Sequence, residues 1–374
     1  CTNTDRAPPP SISPLHPLPS VGGPLFLSVN AICKFGNAVI KAQCDATYKK
    51  NKKMEKGIAF PTCVSINHCV CHFSPLEAED VLLKNGDVVK IDLGAHIDGC
   101  IAVVGHTLVV GGGNPTAPAT EGETKVAATD GDKATGTYAD VAMAAYKAGQ
   151  LCLTMIVPGN TNTLLTETIA KVAEAYGVNA VQGVLMHNMK PFVIDGNKCI
   201  INKVEPDQNV DEIEFVSPLA CGSSKKYLAT RPVLTPFFLF AACCIVALLH
   251  CCVVVLLHCC IVVLSQEPYE VYGIDIAMST GKGKPIERDA RTTVFKRAIE
   301  AKYGLKMKAS RYVLSEVDKL YPALPFATSL LTDIRKLRLG AVLCNLNAQE
   351  QIVGPMASTH GVFFFFVFLA CFFS

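Results

Sequence analysis

The stretch "NGDVVKIDLGAHIDGCIAVVGHTLVV", residues 85–110, constrains the fold most. Two apolar arms, 88–94 and 100–107, flank Asp98-Gly99, a dipeptide with the chemistry of a tight hairpin turn. In the first arm Asp92 stands between Ile91 and Leu93, inside what reads as buried strand. Burying a lone carboxylate is costly, so such a residue ordinarily has a partner or a metal. With the turn centred between Ile97 and Asp98, Asp92 is expected opposite Val103. Carboxylates at both of those cross-strand positions would bracket a metal pair of the kind used in two-metal hydrolysis. Here the second position is a valine, and the hairpin carries half of such a site.

A length of 374 residues allows one large domain or two ordinary ones. With 34 basic against 32 acidic side chains, no global attraction to nucleic acid or membrane is expected, and any basic patch must be local. The chain begins with Cys1 rather than Met and is read as a fragment; Pro- and Ser-rich residues 1–24 lack the pattern of a secretory signal. The 18 cysteines follow no framework spacing, which points to a reduced, intracellular protein. "CVCH", residues 69–72, suggests a metal knuckle, but no second pair lies at zinc-finger spacing. Cys69 and Cys71 are instead expected to alternate on a strand as small hydrophobes.

Residues 32–56 read as a helix with a basic end, where Lys49, Lys50, Lys52, Lys53 and Lys56 cluster. Strands and turns are expected over 57–110, a Gly/Thr/Ala loop over 111–136, helices over 137–157 and 161–176, and a strand within 268–278. Residues 310–348 are helical in pattern, broken by Pro322 and Pro325. Two stretches do not fit. Residues 237–264 are apolar throughout, long enough to span a bilayer, and contain "CCIVALLH", "CCVVVLLH" and "CCIVVLSQ" in tandem. An eight-residue repeat matches neither helix nor heptad, so no packing logic explains it. The tail from Gly361, "GVFFFFVFLACFFS", is too short to span comfortably. Translated non-coding sequence is the preferred reading of both, and a membrane anchor the alternative.

Four collinear segments carry a resemblance: "KGIAFPTCVSINHCVCHFSPLEAEDVLLKNGDVVKIDLGAHIDGCIA" (56–102), "VPGNTNTLLTETIAKVAEAYGVNAVQGVLMHNMKPFVIDG" (157–196), "EVYGIDIAMSTGKGK" (270–284) and "RTTVFKRAIEAKYGLKMKASRYVLSEV" (291–317). The chain resembles the type-two methionine aminopeptidases, and still more the related family of proliferation-associated, ErbB-receptor-binding proteins. The resemblance implies an α+β pita-bread fold of two pseudo-symmetric halves around a curved sheet. It divides the chain into a non-family N-terminal segment (1–30), a first part of the domain (31–215), an apolar Cys-rich insert (216–266), an incomplete second part (267–355) and a non-family apolar tail (356–374).

Carried over residue by residue, the resemblance makes His72 the histidine that assists proton handling, Asp92 the first metal-binding aspartate and His187 the metal-binding histidine. Val103 replaces the second metal-binding aspartate. Asp195 stands where the peptidases carry a substrate-contacting histidine, so His72 and Asp195 would line the substrate pocket. Asp275 stands in place of a metal-binding glutamate, and the last ligand, a bridging glutamate on a late strand, has no counterpart. Asp92, His187 and Asp275 are then vestigial, no catalytic residue and no cofactor is expected, and an active form would need two divalent ions such as Mn, Co, Fe or Zn.

The implied function is a non-catalytic, aminopeptidase-fold protein of cytoplasm and nucleus or nucleolus. It would bind ribosomes and structured RNA, with protein partners in growth signalling, and act in ribosome biogenesis, translation and growth control. The candidate RNA contacts are Lys49, Lys50, Lys52, Lys53 and Lys56, with Lys296, Arg297, Lys306 and Lys308 in the stretch 295–311. One alternative is a metal-dependent methionine aminopeptidase, disfavoured by valine at position 103. The other is a membrane-anchored variant through 237–264.

Overall fold

The structure is a computed structural model that describes residues 28–110, 136–157, 159–204, 215, 268–287, 291–297, 299, 305 and 307–331, and the backbone of 357–358 and 363–373. The N-terminal segment before residue 28, the apolar run 237–264 and Lys306 lie outside the described residues.

Helix α1 spans Val29–Ala46. Ser28, in extended conformation, caps it by accepting from the Ala31 N–H at 3.0 Å, and Asp80 takes the Asn30 N–H at 2.9 Å. Its apolar residues Val29, Ile32, Cys33, Ile40 and Cys44 recur at helical spacing and are buried against the sheet. The sequence reading carried this helix to residue 56; it stops ten residues sooner, where Thr47 turns to extended conformation. Thr47 closes the last turn through its backbone N–H on Gln43 and Cys44, and Tyr48 takes φ 47°. Lys49, Lys50, Lys52 and Lys53 therefore project, exposed, from turns.

Strands β1 (Lys56–Ile66), β2 (Val88–Ile97) and β3 (Cys100–Val109) form an antiparallel meander. The β2–β3 turn has Asp98 at φ 51° and Gly99 at φ 79°, so Ile97 pairs with Cys100. The expected pairing of Asp92 with Val103 is thereby corrected: Asp92 faces Gly105, and Val103 faces Gly94. A turn centred one residue earlier would force β-branched Ile97 to positive φ, which Asp and Gly tolerate and Ile does not. β1 ends where Asn67 takes φ 47°, and Cys69 and Cys71 lie in the following turn region rather than on a strand as expected.

The second half repeats the layering. Helices α2 (Thr137–Met155) and α3 (Asn162–Ala175) cover β5 (Leu185–Met189), β6 (Cys199–Ile201) and the long β7 (Pro268–Ser279), with the short β4 (Asn179–Ala180) pairing alongside β7. Their core contains Ala148, Leu165, Ile169, Met186, Tyr272, Ile274 and Ile276. Two short ladders follow: β8 (Ile286–Glu287) with β11 (Ala357–Ser358), and β9 (Val294–Phe295) with β10 (Phe326–Ala327). Helix α4 (Lys308–Leu320) packs Val313 and Val317 with Phe295 and Phe326.

The tail was expected to lie outside the domain. It instead supplies β12 (Phe363–Phe373), which pairs with β7 along its length and with β3 at Val367–Gly105. The sheet runs β1-β2-β3-β12-β7-β5-β6, so the tail joins the two halves. A run of apolar residues suits a strand with a neighbour on each side.

The periodicity of two assigns a face to each strand residue. Ile91 and Leu93 of β2, and Tyr272, Ile274 and Ile276 of β7, turn to the helices. Asp92 and Asp275 consequently share the opposite face.

Candidate functional site

The register draws a single row across that face. Cys63 of β1 pairs with Asp92, Asp92 with Gly105, Gly105 with Val367, and Val367 with Asp275. His187 of β5 pairs with Gly273, two residues from Asp275 on the same face. The fold therefore brings the sequence-predicted residues onto one surface, in two clusters separated by β3 and β12.

In the first cluster Asp92 is 7 % exposed and its Oδ2 meets His72 Nδ1 at 2.9 Å. His72 follows β1 in a loop fastened to that strand by Val64 N–H on the Phe73 carbonyl (2.8 Å) and Phe73 N–H on Ser65 Oγ (3.2 Å). Its backbone sits at φ 60°, a left-handed position uncommon for a non-glycine residue, and its ring lies 4.8 Å from that of Phe60. Burial opposes charge on His72, but Cys71, Asp92 and Cys63 around the ring hold its pKa well above the ordinary value. Cys63, fully buried, completes the group; burial and then the neighbouring Asp92 push its thiol pKa up. One donor atom from each of Cys63, His72 and Asp92 lies within 4.8 Å of the others.

Cys63 was missed in the sequence. A straight ladder continued from the Ile58–Ala95 pair would set Pro61 opposite Asp92; two register shifts in β1 bring Cys63 there. Pro61, which cannot donate to a ladder, is the one signal of that irregularity. Also missed was Lys90, two residues from Asp92. It is 2 % exposed, donates to the Asn67 carbonyl at 2.6 Å, and is pushed by burial to a pKa of about 8.

In the second cluster His187 Nε2 stands 3.5 Å from Asp275 Oδ2 and 3.8 Å from Asp195 Oδ1. Burial works against a charged ring, but Asp275 and Asp195 outweigh it and raise the His187 pKa. The Lys296 ammonium pairs with Asp195. Lys296 and Arg297, both expected as RNA contacts, are engaged inside the protein: Arg297 pairs with Asp318. The Lys56 ammonium likewise donates to the Thr47 carbonyl. Lys308 opens α4 and is exposed.

This arrangement does not fit a dimetal centre. Ions of such a centre stand about 3.5–4 Å apart and share bridging carboxylates. Asp92 and Asp275 are on β2 and β7, three strand spacings or roughly 14 Å apart at the backbone. Bridging ligands would have to come from β3 and β12, which contribute Gly105 and Val367 to the row and Val103 beside it. Val103 packs with Ile101, Met189, Leu324 and Val181, an apolar setting hostile to a carboxylate. The Lys296 ammonium already supplies positive charge to Asp195.

A curved sheet backed by helices in two similar halves, with the acids of a divided metal site on its open face, is the pita-bread fold of the aminopeptidases. Residues 37–210 match the model of metallopeptidase family M24. Over a longer span the chain is similar to proliferation-associated and ErbB-3-binding proteins. It is 39 % identical over 331 residues to ErbB-3 binding protein 1 of Solanum tuberosum, covering 88 % of this chain and 66 % of that one. It is 39 % identical over 295 residues to proliferation-associated protein A of Dictyostelium discoideum, covering 79 % and 59 %. The chain thus spans less than two thirds of the length of these relatives. The solved structure of a thermophilic Arx1 superposes with a TM-score of 0.65 at 20 % identity, over 92 % of this chain and 80 % of the other.

Proposed function

We propose that this protein is non-catalytic and uses an M24 scaffold to bind structured RNA in the setting of the ribosome, acting in ribosome biogenesis, translation and growth control. The observation that carries the non-catalytic reading is the row Asp92–Gly105–Val367–Asp275: the strands that must bridge two ions offer glycine and valine. Without a bridged ion pair, the two-metal route to hydrolysis is not available to the residues present. His72 and His187 then act as polar, carboxylate-paired linings of a former pocket.

The binding surface we assign is the turn after α1. Lys49, Lys50, Lys52 and Lys53 are exposed and crowded into a few residues of a chain whose net charge is only +2. Ammonium groups so placed engage phosphates without reading sequence, by release of condensed counterions. Lys308 is a further exposed cation. The names of the ErbB-3-binding relatives support protein partners in growth signalling, and the proposed location is cytoplasm and nucleus, including the nucleolus. No helix among the described residues is long and apolar enough to cross a membrane. The membrane-anchored reading rests on 237–264, outside those residues.

The test is binding of a structured ribosomal RNA fragment across a salt series by the whole chain and by a variant with Lys49, Lys50, Lys52 and Lys53 changed to Gln. Weaker binding is expected, with a salt dependence flattened by roughly one unit of slope for each phosphate that is no longer neutralised. Identical binding at every salt concentration would leave the cluster as solvated surface and remove this reading.

A further inference from the structure

We propose that Cys63, His72 and Asp92 form a mononuclear site for a borderline-soft divalent ion such as Zn²⁺, which shares Asp92 with the two-ion centre of the fold but takes its other donors from Cys63 and His72. The proposal does not require peptidase activity and goes beyond the RNA-binding reading. It departs from the sequence-based expectation that no cofactor is held.

Three observations converge. The first is the donor set. A sulfur, an imidazole nitrogen and a carboxylate oxygen, from β1, the following loop and β2, approach within 4.8 Å of one another. That combination suits Zn²⁺, which takes thiolate at about 2.3 Å, imidazole at about 2.0–2.1 Å and carboxylate at about 2.0–2.2 Å in a tetrahedron. The second is an orphan. Asp92 Oδ1 is buried and has no hydrogen-bond partner among the described residues, while Oδ2 is held by His72. A buried carboxylate oxygen without a partner is costly unless something fills that place. The third is backbone strain. His72 is held at φ 60° by a loop fastened on both sides of Phe73, and this conformation turns its ring to Asp92. Strained positions of this kind persist where the surroundings over-determine them.

Charge and access also agree. A Cys63 thiolate and the Asp92 carboxylate together neutralise a divalent ion, so the occupied site would bury no net charge. With the ion absent, Cys63 remains a thiol and donates to the Pro61 carbonyl at 3.3 Å. His72 is the accessible member, its side chain 28 % exposed, and a fourth ligand would enter from its side. The ion would tie the loop after β1 to β2 and so stiffen one wall of the former pocket. His187 and Asp275 lie across two strands and take no part.

The experiment uses the whole chain, reduced and stripped with chelator, titrated with Co²⁺ as a spectroscopic probe and then with Zn²⁺. One equivalent of Co²⁺ should bind with a thiolate-to-cobalt charge-transfer band that Zn²⁺ abolishes. Cys63→Ala should remove the band. Asp92→Asn and His72→Ala should weaken binding by about tenfold or more, and His187→Ala should leave it unchanged. X-ray absorption of the Zn²⁺-loaded, unaltered chain avoids any folding defect of a variant: one sulfur neighbour among nitrogen and oxygen neighbours is expected. An absent band, a band that survives Cys63→Ala, or a zinc shell with no sulfur or with several, would overturn the proposal.

Discussion

Asp92 shows how one residue acquires its meaning from its neighbours. Its own strand is buried on both faces, so burial alone says nothing about which way the carboxylate turns. Pairing with Cys63 and Gly105 settles the direction, and the absence of a side chain on Gly105 leaves His72 as its partner. Gly94, next on the same face, is equally constrained. A Cβ there would stand 2.9 Å from Val103 Cγ1, 3.0 Å from Phe60 Cβ and 3.1 Å from the Ala102 carbonyl oxygen. Two of these atoms belong to backbone or to a first side-chain carbon and cannot swing away. Gly94→Ala should therefore lower stability by about 1–3 kcal/mol, the cost of overpacking a filled core, read as a lower urea midpoint with an unchanged slope.

His96, also on β2, gives a pH signature. Burial lowers its pKa from 6.5 to about 4, against the weaker upward pull of Asp98. Between those values the unfolded chain binds the proton and the folded chain does not, so acidification favours unfolding. Stability should fall as pH drops from 6.5 toward 4, and His96→Gln should flatten that limb. His72 and His187, whose pKa values are raised, contribute in the opposite sense, with stabilisation lost as pH rises above 6.5. Urea unfolding at stepped pH separates the limbs; an acid limb unchanged in His96→Gln would refute the assignment.

At the scale of elements, the apolar insert is the clearest case for deletion. Phe215, just before it, exchanges hydrogen bonds with Gly159 and Asn160 and packs edge-on against Tyr272 with ring centroids 5.4 Å apart. Tyr272 lies in β7, which begins at Pro268 just after the insert. Both flanks thus belong to one core. Removing 216–266 should leave a chain that is folded and less prone to aggregate, because about thirty apolar residues no longer need covering. Carbonate-resistant membrane association that this deletion abolishes would show a genuine anchor instead.

Elements were legible in the sequence where local chemistry decides them. Helices α2 and α3 and strand β7 fall within a few residues of their expected spans, because periodicity and the Pro158-Gly159 break are local signals. The hairpin was recognised, but its register slipped, since one residue of turn placement moves every partner. The basic stretch after α1 was read as helix because lysine tolerates helix well, although Lys49, Lys50, Lys52 and Lys53 are exposed and lie beyond the helix end at Ala46. The tail was set outside the domain because composition gives no hint of which strands it joins; β3 and β7 are far away in the chain and adjacent only in the sheet. The same long-range dependence hid Cys63, whose place beside Asp92 is created by two irregularities in β1.

At the scale of the molecule, two helix-backed half-sheets meet at β12, and the face they share carries an incomplete site. The resemblance located Asp92, His187, Asp195 and Asp275 on that face, and their ion pairs follow from it. What no residue pattern disclosed is how Lys296 answers Asp195, an interaction between residues far apart in the chain. Lys296 and Arg297, each about a quarter exposed, are paired with Asp195 and Asp318, whereas Lys49, Lys50, Lys52 and Lys53 after α1 are exposed. The central proposal is that an aminopeptidase scaffold here binds its partners without a two-metal centre. Its most direct test is hydrolysis of methionyl peptides by the purified whole chain supplied with excess Mn²⁺ or Co²⁺. No turnover above the metal-only control is the expected result; turnover that His187→Ala abolishes would contradict the account.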